Sequence, residues 1–133
     1  MNHNLLIAKL HRYGLRDGAL ALIRSYLTGR KQRVGILDND SVYCYSEYLD
    51  INIGVPQGSN LGPLFYLAFA NDLNNIIKDV QVVTYADDIC LCINGESLPD
   101  MMEILNRELR TLSNWCRFNL LPINYRKLHA VVT

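Results

Sequence analysis

Two adjacent acids interrupt an apolar stretch of this 133-residue chain. The segment from Tyr85 to Asp88, which ends in Asp87 and Asp88, separates residues 80–84 from residues 89–93, and both runs are rich in Val, Ile or Cys. Such runs are typical of β-strands. Consecutive strand residues point to opposite faces, so one continuous strand would bury one carboxylate without a partner. The pattern therefore predicts a β-hairpin with both acids at its tip.

Two carboxylates at one turn can serve as ligands for a cation. Like charges this close are tolerated when a divalent cation lies between Asp87 and Asp88. Oxygen ligands favour Mg²⁺ or Mn²⁺ over Zn²⁺. A solvent-exposed Asp-Asp turn without a metal is common in hairpins, and the pair by itself is equally consistent with that alternative.

A glycine- and proline-containing loop precedes the hairpin. Pro56, Gln57 and Gly58 lie in this loop, which leads into a helix predicted over residues 63–77. Gly58 permits a backbone to approach a ligand closely, and Gln57 offers both a donor and an acceptor. If the loop served only to begin the helix, its glycines would be explained, but the Asp-Asp hairpin downstream would not. The side chains expected on the buried face of the helix are Leu64, Phe65, Leu67 and Ala68.

The remaining pattern alternates helical and extended segments. Helices are predicted over residues 4–13, 17–27 and 97–118, and a second hairpin over residues 32–37 and 42–53 around a turn at 38–40. The length allows one modest hydrophobic core. Together these segments predict an α+β fold in which antiparallel hairpins pack against helices.

Charge and cysteine content narrow the function only slightly. The formal net charge is zero, but it is distributed as +6 over residues 1–36, −9 over 37–100 and +3 over 101–133. This layout suits a cation-binding site between segments that contact phosphates, and basic helix faces in solvent explain it equally well. The four cysteines lack zinc-ligand spacing and are predicted to be reduced core residues of an intracellular protein. No membrane-spanning segment is predicted, because prolines and glycines interrupt the longest uncharged stretch.

Several motifs, in order, resemble those of reverse transcriptases. The loop and helix resemble the template-and-primer segment of that family, and the Asp-Asp hairpin resembles its catalytic hairpin. Residues 10–14, 27–34 and 115–127 follow the order of further family motifs. The residues of these motifs most resemble those of reverse transcriptases from non-LTR (LINE-type) retrotransposons. The principal motifs are Gly54-Val55-Pro56-Gln57-Gly58-Ser59, Leu61-Gly62-Pro63-Leu64, Asn71-Asp72-Leu73 and Tyr85-Ala86-Asp87-Asp88.

The resemblance implies part of a right-hand polymerase palm that extends a primer on an RNA or DNA template with dNTPs. Asp87 and Asp88 would be the catalytic residues and would hold two Mg²⁺ ions, with Mn²⁺ as an alternative. Tyr85 would lie under the primer end. The remaining nucleotide- or template-binding residues implied by the family are Pro56, Gln57, Gly58 and Lys127. Leu128 and His129 replace the Thr or Ser that usually follows that lysine.

The family pattern also implies parts that we expect this chain to lack. Residues 1–133 are expected to form a partial palm domain without the strand of the first catalytic aspartate, the fingers and the thumb. Asp72 is not expected to replace that aspartate. It lies at a helix end, where its carboxylate is expected either to cap the helix or to be solvated. The isolated chain is therefore expected to have negligible polymerase activity, and the 80–93 hairpin to self-associate through an unpaired edge.

Two alternatives remain open at this point. The chain could be a catalytically dead remnant that binds RNA or a partner through its basic residues 9–33, or an unrelated metal-dependent phosphohydrolase or small binding protein with an accidental Asp-Asp turn. The compartment, nucleus or cytoplasm, is not determined by the sequence.

Overall fold

A computed structural model of the chain describes residues 1–39 and 41–131, and these contain four α-helices and six short strands. The mixture of helices and antiparallel strand pairs confirms the predicted α+β class. The helices are α1 (His3–Arg12), α2 (Asp17–Leu27), α3 (Leu61–Ala70) and α4 (Leu98–Phe118). The strands are β1 (Lys31–Gln32), β2 (Gly35–Leu37), β3 (Tyr43–Tyr45), β4 (Leu49–Asp50), β5 (Gln81–Tyr85) and β6 (Asp88–Cys92). Single 3₁₀ turns lie at Leu73–Asn75 and Tyr125–Lys127.

The chain divides into two compact units, Met1–Gly62 and Pro63–Thr133, each of which is described by itself. In the first unit, the side chain of Asn2 accepts a hydrogen bond from the backbone N–H of Leu5 at 3.1 Å and so caps α1. The capped helix buries one apolar face. The buried apolar side chains of α1 and α2 are Leu6, Ile7, Leu10 and Leu27.

The predicted first hairpin is present but interrupted. β2 pairs antiparallel with β3, and β1 pairs antiparallel with β4. Between the two pairs, the backbone N–H of Ser46 donates to the carbonyl of Val34, and the Ser46 hydroxyl accepts from the N–H of Val34, both at 2.9 Å. Asp38 closes the turn through its carboxylate, which accepts from the N–H of Val42 at 2.9 Å. Asp40, which the sequence places in this turn, lies outside the described residues.

An aromatic layer covers one face of the β2–β3 hairpin. Tyr45 pairs with Gly35 across the strands and stacks on Tyr43 with a ring-centroid distance of 5.8 Å. The guanidinium of Arg33 lies 3.7 Å from the Tyr45 ring centroid. A Cβ at Gly35 would meet the Tyr45 ring at 2.8 Å, so the glycine is what allows the ring to lie over the backbone.

The predicted buried face of α3 is partly wrong. Leu64 and Leu67 are 58% and 65% exposed, whereas Phe65 and Phe69 are buried. The helix also ends at Ala70 rather than at residue 77, and the 3₁₀ turn at Leu73–Asn75 follows it. Every residue of α3 except Pro63 is apolar or aromatic or Gly, so its composition contains no polar face from which the buried one could be identified.

The core of the second unit forms where the segment after α3 meets α4. Its buried members are Leu73, Ile77, Trp115 and Cys116. One face of the β5–β6 hairpin packs against this cluster through Val82, Ile89 and Leu91. The indole N–H of Trp115 donates to the carboxylate of Asp72 at 3.0 Å. Asp72 therefore joins two segments of the fold, and the prediction that it caps or leaves solvated a helix end is wrong.

The cysteine prediction is correct only for Cys116. All four cysteines are free, but Cys44, Cys90 and Cys92 are exposed, and only Cys116 is buried. Burial raises the pKa of the Cys116 thiol. The strands that carry Cys44, Cys90 and Cys92 belong to two-stranded sheets. No second layer covers these three side chains, so they remain exposed.

Among the residues that the structure describes, no helix is both long enough and apolar enough to span a membrane.

Candidate active-site hairpin and nucleic-acid loop

The predicted hairpin with two acids at its tip is confirmed. β5 and β6 pair from Gln81 with Cys92 to Tyr85 with Asp88, which leaves Ala86 and Asp87 as a two-residue loop. Ala86 has a φ of +49°, in the left-handed region that favours glycine. Positive φ at the first loop residue alone is the pattern of a type II′ turn, whose twist matches that of the flanking strands. The backbone strain at Ala86 is the local cost of closing the hairpin beside the acids.

The two carboxylates are exposed to solvent, and their charges act on a phenol of α3. Asp87 and Asp88 are both exposed. Partial burial of the Tyr66 phenol on α3, and the negative charges of Asp87 and of Asp88, all raise the pKa of Tyr66 above its ordinary value of 10.0. The charges of both acids therefore reach the same phenol on α3.

The donor set at the tip fits a hard cation. Asp87 and Asp88 offer oxygen atoms only, which are the ligands that Mg²⁺ and Mn²⁺ prefer. Across residues 1–39 and 41–131, no three or more His, Cys, Asp or Glu side chains come together as a metal-binding group. The pair is therefore a candidate partial metal site.

Tyr85 forms the end of β5 directly opposite Asp88. Its side chain is 83% exposed, which is the largest exposure of the aromatic residues described. Because paired strand residues share a face of the sheet, Tyr85 and Asp88 present a ring and a carboxylate side by side.

The loop of the first unit has a defined turn at its centre. The N–H of Ser59 donates to the carbonyl of Pro56 at 3.3 Å, and Gly58 has a φ of +75°. This is a type II turn, which requires positive φ at its third residue and so favours glycine there. Gln57 lies at the corner of the turn and is exposed, so its amide is free to meet a ligand.

Both ends of the loop are held. The His3 ring donates to the carbonyl of Gly54 at 2.7 Å, which fixes the entry to the loop. At the exit, the Ser59 hydroxyl accepts from the N–H of Gly62 at 3.1 Å and caps α3. A Cβ at Gly62 would lie 3.2 Å from that hydroxyl oxygen and 3.4 Å from a methyl carbon of Val55, so only a small residue fits closely here.

A concave surface with a volume of about 530 Å³ adjoins the loop. Pro56 and Gln57 line it together with Arg30 and Lys31. The Lys31 ammonium also lies 3.7 Å from the Asp50 carboxylate, in an exposed ion pair. The basic residues were visible in the sequence as part of the positively charged first segment, but their position beside Gln57 was not.

The structure brings the predicted residues together in three groups. Tyr85, Asp87 and Asp88 share the hairpin of the second unit, and Pro56–Gly58 share the turn of the first unit. Lys127 ends an exposed 3₁₀ turn in the second unit, where the Asn124 side chain accepts from the N–H of Arg126 at 3.2 Å. Sequence reasoning missed Tyr66, whose pKa responds to the charges of the acids, since α3 offers no periodic signal that distinguishes it.

Comparison with known proteins identifies sequence relatives of the chain. The sequence profile described as "Reverse transcriptase (RNA-dependent DNA polymerase)" matches residues 1–133. The chain is 34% identical over 113 residues to a probable RNA-directed DNA polymerase from transposon BS of Drosophila melanogaster, covering 80% of this chain and 12% of that protein. It is 33% identical over 101 residues to the RNA-directed DNA polymerase from mobile element jockey of Drosophila funebris, covering 71% of this chain and 10% of that protein.

A third relative, the probable RNA-directed DNA polymerase from transposon X-element of Drosophila melanogaster, is 29% identical over 114 residues, which cover 83% of this chain and 12% of that protein. The chain thus spans only about an eighth of the length of these two Drosophila melanogaster relatives. No solved structure matches it. The profile match over the whole chain and the identity to the transposon polymerases confirm the resemblance, and the chain belongs to the reverse transcriptase family, in its non-LTR retrotransposon branch.

Proposed function

We propose that the chain forms part of the palm of an RNA-directed DNA polymerase that extends a primer with dNTPs on a nucleic-acid template. The observation that supports this proposal is the β5–β6 turn, which brings the adjacent Asp87 and Asp88 to the tip of the hairpin. Phosphoryl transfer depends mainly on positioned charge, so a rigid pair of carboxylates is the part of the reaction that this segment can supply.

Asp87 and Asp88 would hold Mg²⁺, with Mn²⁺ as a substitute. When bound, divalent ions of this kind activate a hydroxyl nucleophile and neutralise charge on a leaving pyrophosphate. The hairpin contributes preorganisation, because the paired strands fix the spacing of the two acids before any ion arrives. Two carboxylates are few ligands for two ions, so we expect weak metal binding and negligible primer extension by residues 1–133 alone.

The other residues supply contacts to nucleic acid. The exposed Gln57 amide and the open backbone at Gly58 would contact the nucleotide or the template, with Pro56 setting the turn. Arg30 and Lys31 on the adjoining surface would contribute charge toward phosphates. Tyr85 would support the primer end.

Lys127 would lie near the triphosphate and donate a proton to the leaving pyrophosphate. The turn that carries it is capped by Asn124, which gives this lysine a fixed backbone position.

Mn²⁺ titration of the isotopically labelled chain tests the metal assignment directly. Bound Mn²⁺ is paramagnetic, so we expect it to broaden NMR signals of the hairpin tip first. The double variant Asp87→Asn/Asp88→Asn should abolish this selective broadening. The matched control, Asp100→Asn/Glu103→Gln, removes two exposed acids of α4 and should leave it unchanged. Equal broadening along the whole chain, or broadening that persists without the two hairpin acids, would contradict the assignment.

Primer extension tests the polymerase assignment. Residues 54–92 would replace the matching segment of a related transposon polymerase, and incorporation of dNTPs on an RNA template would be measured. We expect Asp87→Ala to lower the rate by about 100- to 1,000-fold, the scale on which loss of one positioned electrostatic group acts. Lys78→Ala, in the same segment, should leave the rate unchanged. A chimaera that binds RNA in a salt-sensitive way, but extends no primer, would support the RNA-binding alternative, which the comparisons do not favour.

A further inference from the structure

Two exposed thiols lie on the outer face of the β5–β6 hairpin. Cys90 and Cys92 are two residues apart on β6, so strand alternation places both side chains on one face. They pair across the strands with Val83 and Gln81, on the face opposite the one that packs against the core cluster. Their sulfur atoms are 3.6 Å apart, and both residues are exposed.

This spacing suits two ligands of one soft cation. In a tetrahedral site with metal–sulfur bonds of about 2.3 Å, two thiolate sulfurs are about 3.8 Å apart. The observed sulfur–sulfur separation of 3.6 Å is close to this distance, so the strand does not need to move for both sulfurs to bind one cation. Thiolates prefer soft or borderline cations such as Cd²⁺ and Zn²⁺, whereas the oxygen atoms of Asp87 and Asp88 prefer Mg²⁺.

An intrachain disulfide fits the same pair less well. Residues two apart on a strand have Cα atoms about 6.4–6.8 Å apart. The commonest Cα separation in disulfides is about 5.5–6 Å, and the usual range ends near 6.8 Å. A disulfide between Cys90 and Cys92 would therefore lie at the long end of that range, whereas a shared cation needs no bond between the two sulfurs.

We propose that Cys90 and Cys92 form a bidentate site for a soft divalent cation on the outer face of the hairpin that carries Asp88. On binding, two metal–sulfur bonds form, the two thiol protons leave to solvent, and water fills the remaining coordination positions. The site is chemically separate from the acid pair because it uses sulfur ligands and selects a different class of ion.

Cd²⁺ binding to the reduced chain tests the proposal, since cadmium–thiolate bonds absorb in the ultraviolet. We expect a stoichiometry of one Cd²⁺ per chain and no competition from excess Mg²⁺. Cys90→Ser and Cys92→Ser should each weaken binding by at least about tenfold, since loss of even an outer partner of a metal ligand has an effect of this size. Cys44→Ser, the matched control, removes another exposed thiol and should change nothing.

Alkylation of the unmodified chain provides a test that does not depend on the folding of any variant. Cd²⁺ should protect Cys90 and Cys92 from iodoacetamide, as mapped by mass spectrometry, and should leave Cys44 reactive. Equal protection of Cys44, or no protection of the pair, would overturn the proposal. Binding that is retained in Asp87→Asn/Asp88→Asn would support the thiol site whatever the outcome of the polymerase test, whereas its loss in that variant would assign the cadmium to the acids instead.

Discussion

At the residue scale, Tyr66 reports on the charge of the acid pair. Its pKa is raised first by burial and then by the charges of Asp87, Cys116 and Asp88. The titration of this phenol therefore responds to the charge of both acids.

We predict that Asp87→Asn/Asp88→Asn lowers the pKa of Tyr66 but does not return it to 10.0, because burial remains. The measurement is the pH dependence of the ¹³C signal of the labelled tyrosine ring carbon. Since the raised pKa favours the neutral phenol in the folded state, its contribution to stability is present below pH 10 and is lost as the pH rises further. An unchanged pKa in the double variant would show that the charges of the acids do not reach this ring.

The hydrogen bond between Trp115 and Asp72 is a second residue-scale feature. Trp115 is almost fully buried, and its indole N–H donates to the Asp72 carboxylate. We predict that Asp72→Leu lowers the free energy of unfolding by about 1–3 kcal/mol, the cost of a buried donor left without a partner. Asp72→Asn keeps an acceptor oxygen and should have a much smaller effect. Urea unfolding measures both, and equal effects of the two variants would contradict the structural role of the bond.

At the element scale, Gly35 decides how the β2–β3 hairpin is covered. A methyl group at this position would meet the Tyr45 ring at 2.8 Å, so Gly35→Ala should displace the ring from the hairpin and from Arg33. We expect faster hydrogen exchange at Val34, whose N–H donates to the Ser46 hydroxyl, and at Ser46, whose N–H donates to the Val34 carbonyl. Gly18→Ala is the control, because α2 has open space there and alanine stabilises a helix by about 0.5–1 kcal/mol. Unchanged exchange in Gly35→Ala would show that the ring does not protect the strands.

The end of α4 carries a conformation that suits glycine. Leu120 has a φ of +54° and is exposed, and the N–H of Leu121 bonds to the carbonyl of Cys116 at 2.9 Å, as in a Schellman motif. We predict that Leu120→Gly raises the free energy of unfolding by about 1 kcal/mol, because left-handed backbone costs an L-residue about that much. Leu121→Gly, at the next position, should lower it. Chemical denaturation of the two variants checks the opposite signs, and a loss of stability in Leu120→Gly would contradict the assignment.

At the scale of the whole molecule, the strands of the described chain form three separate two-stranded sheets. Each strand pair therefore has unpaired edges, and the outer face of β5 exposes Val83. Exposed apolar edges promote association of chains. The sequence-based prediction of self-association remains a prediction.

We expect residues 1–133 to self-associate at about 10–50 µM, the concentration range in which exposed edges associate. Val83→Lys places a charge on the exposed face and should shift light scattering toward the monomer. Asn106→Lys adds the same charge on the exposed side of α4 and should not. A monomer at these concentrations without any substitution would contradict the expectation.

The predictability of each element depended on how much of its pattern was local. The β5–β6 hairpin was correct to within one residue, because adjacent acids between two apolar runs leave few alternatives to a turn. The buried face of α3 was predicted wrongly at Leu64 and Leu67, since a helix that is apolar all round contains no signal for its orientation. The exposure of Cys90 and Cys92 depended on whether a second layer covers the strand, which the sequence of the strand does not encode.

By itself, the sequence determined the class of fold, the family and the turn that holds Asp87 and Asp88, because turn chemistry and motif order are encoded by neighbouring residues. Only the tertiary structure decided that Asp72 bonds to Trp115, that the charges of the acids reach Tyr66 and that two sulfurs approach to 3.6 Å. The first two relations join residues from different elements, and the third depends on which face of the hairpin the core covers. Such contacts depend on how the elements pack together, and the local sequence pattern does not encode that packing.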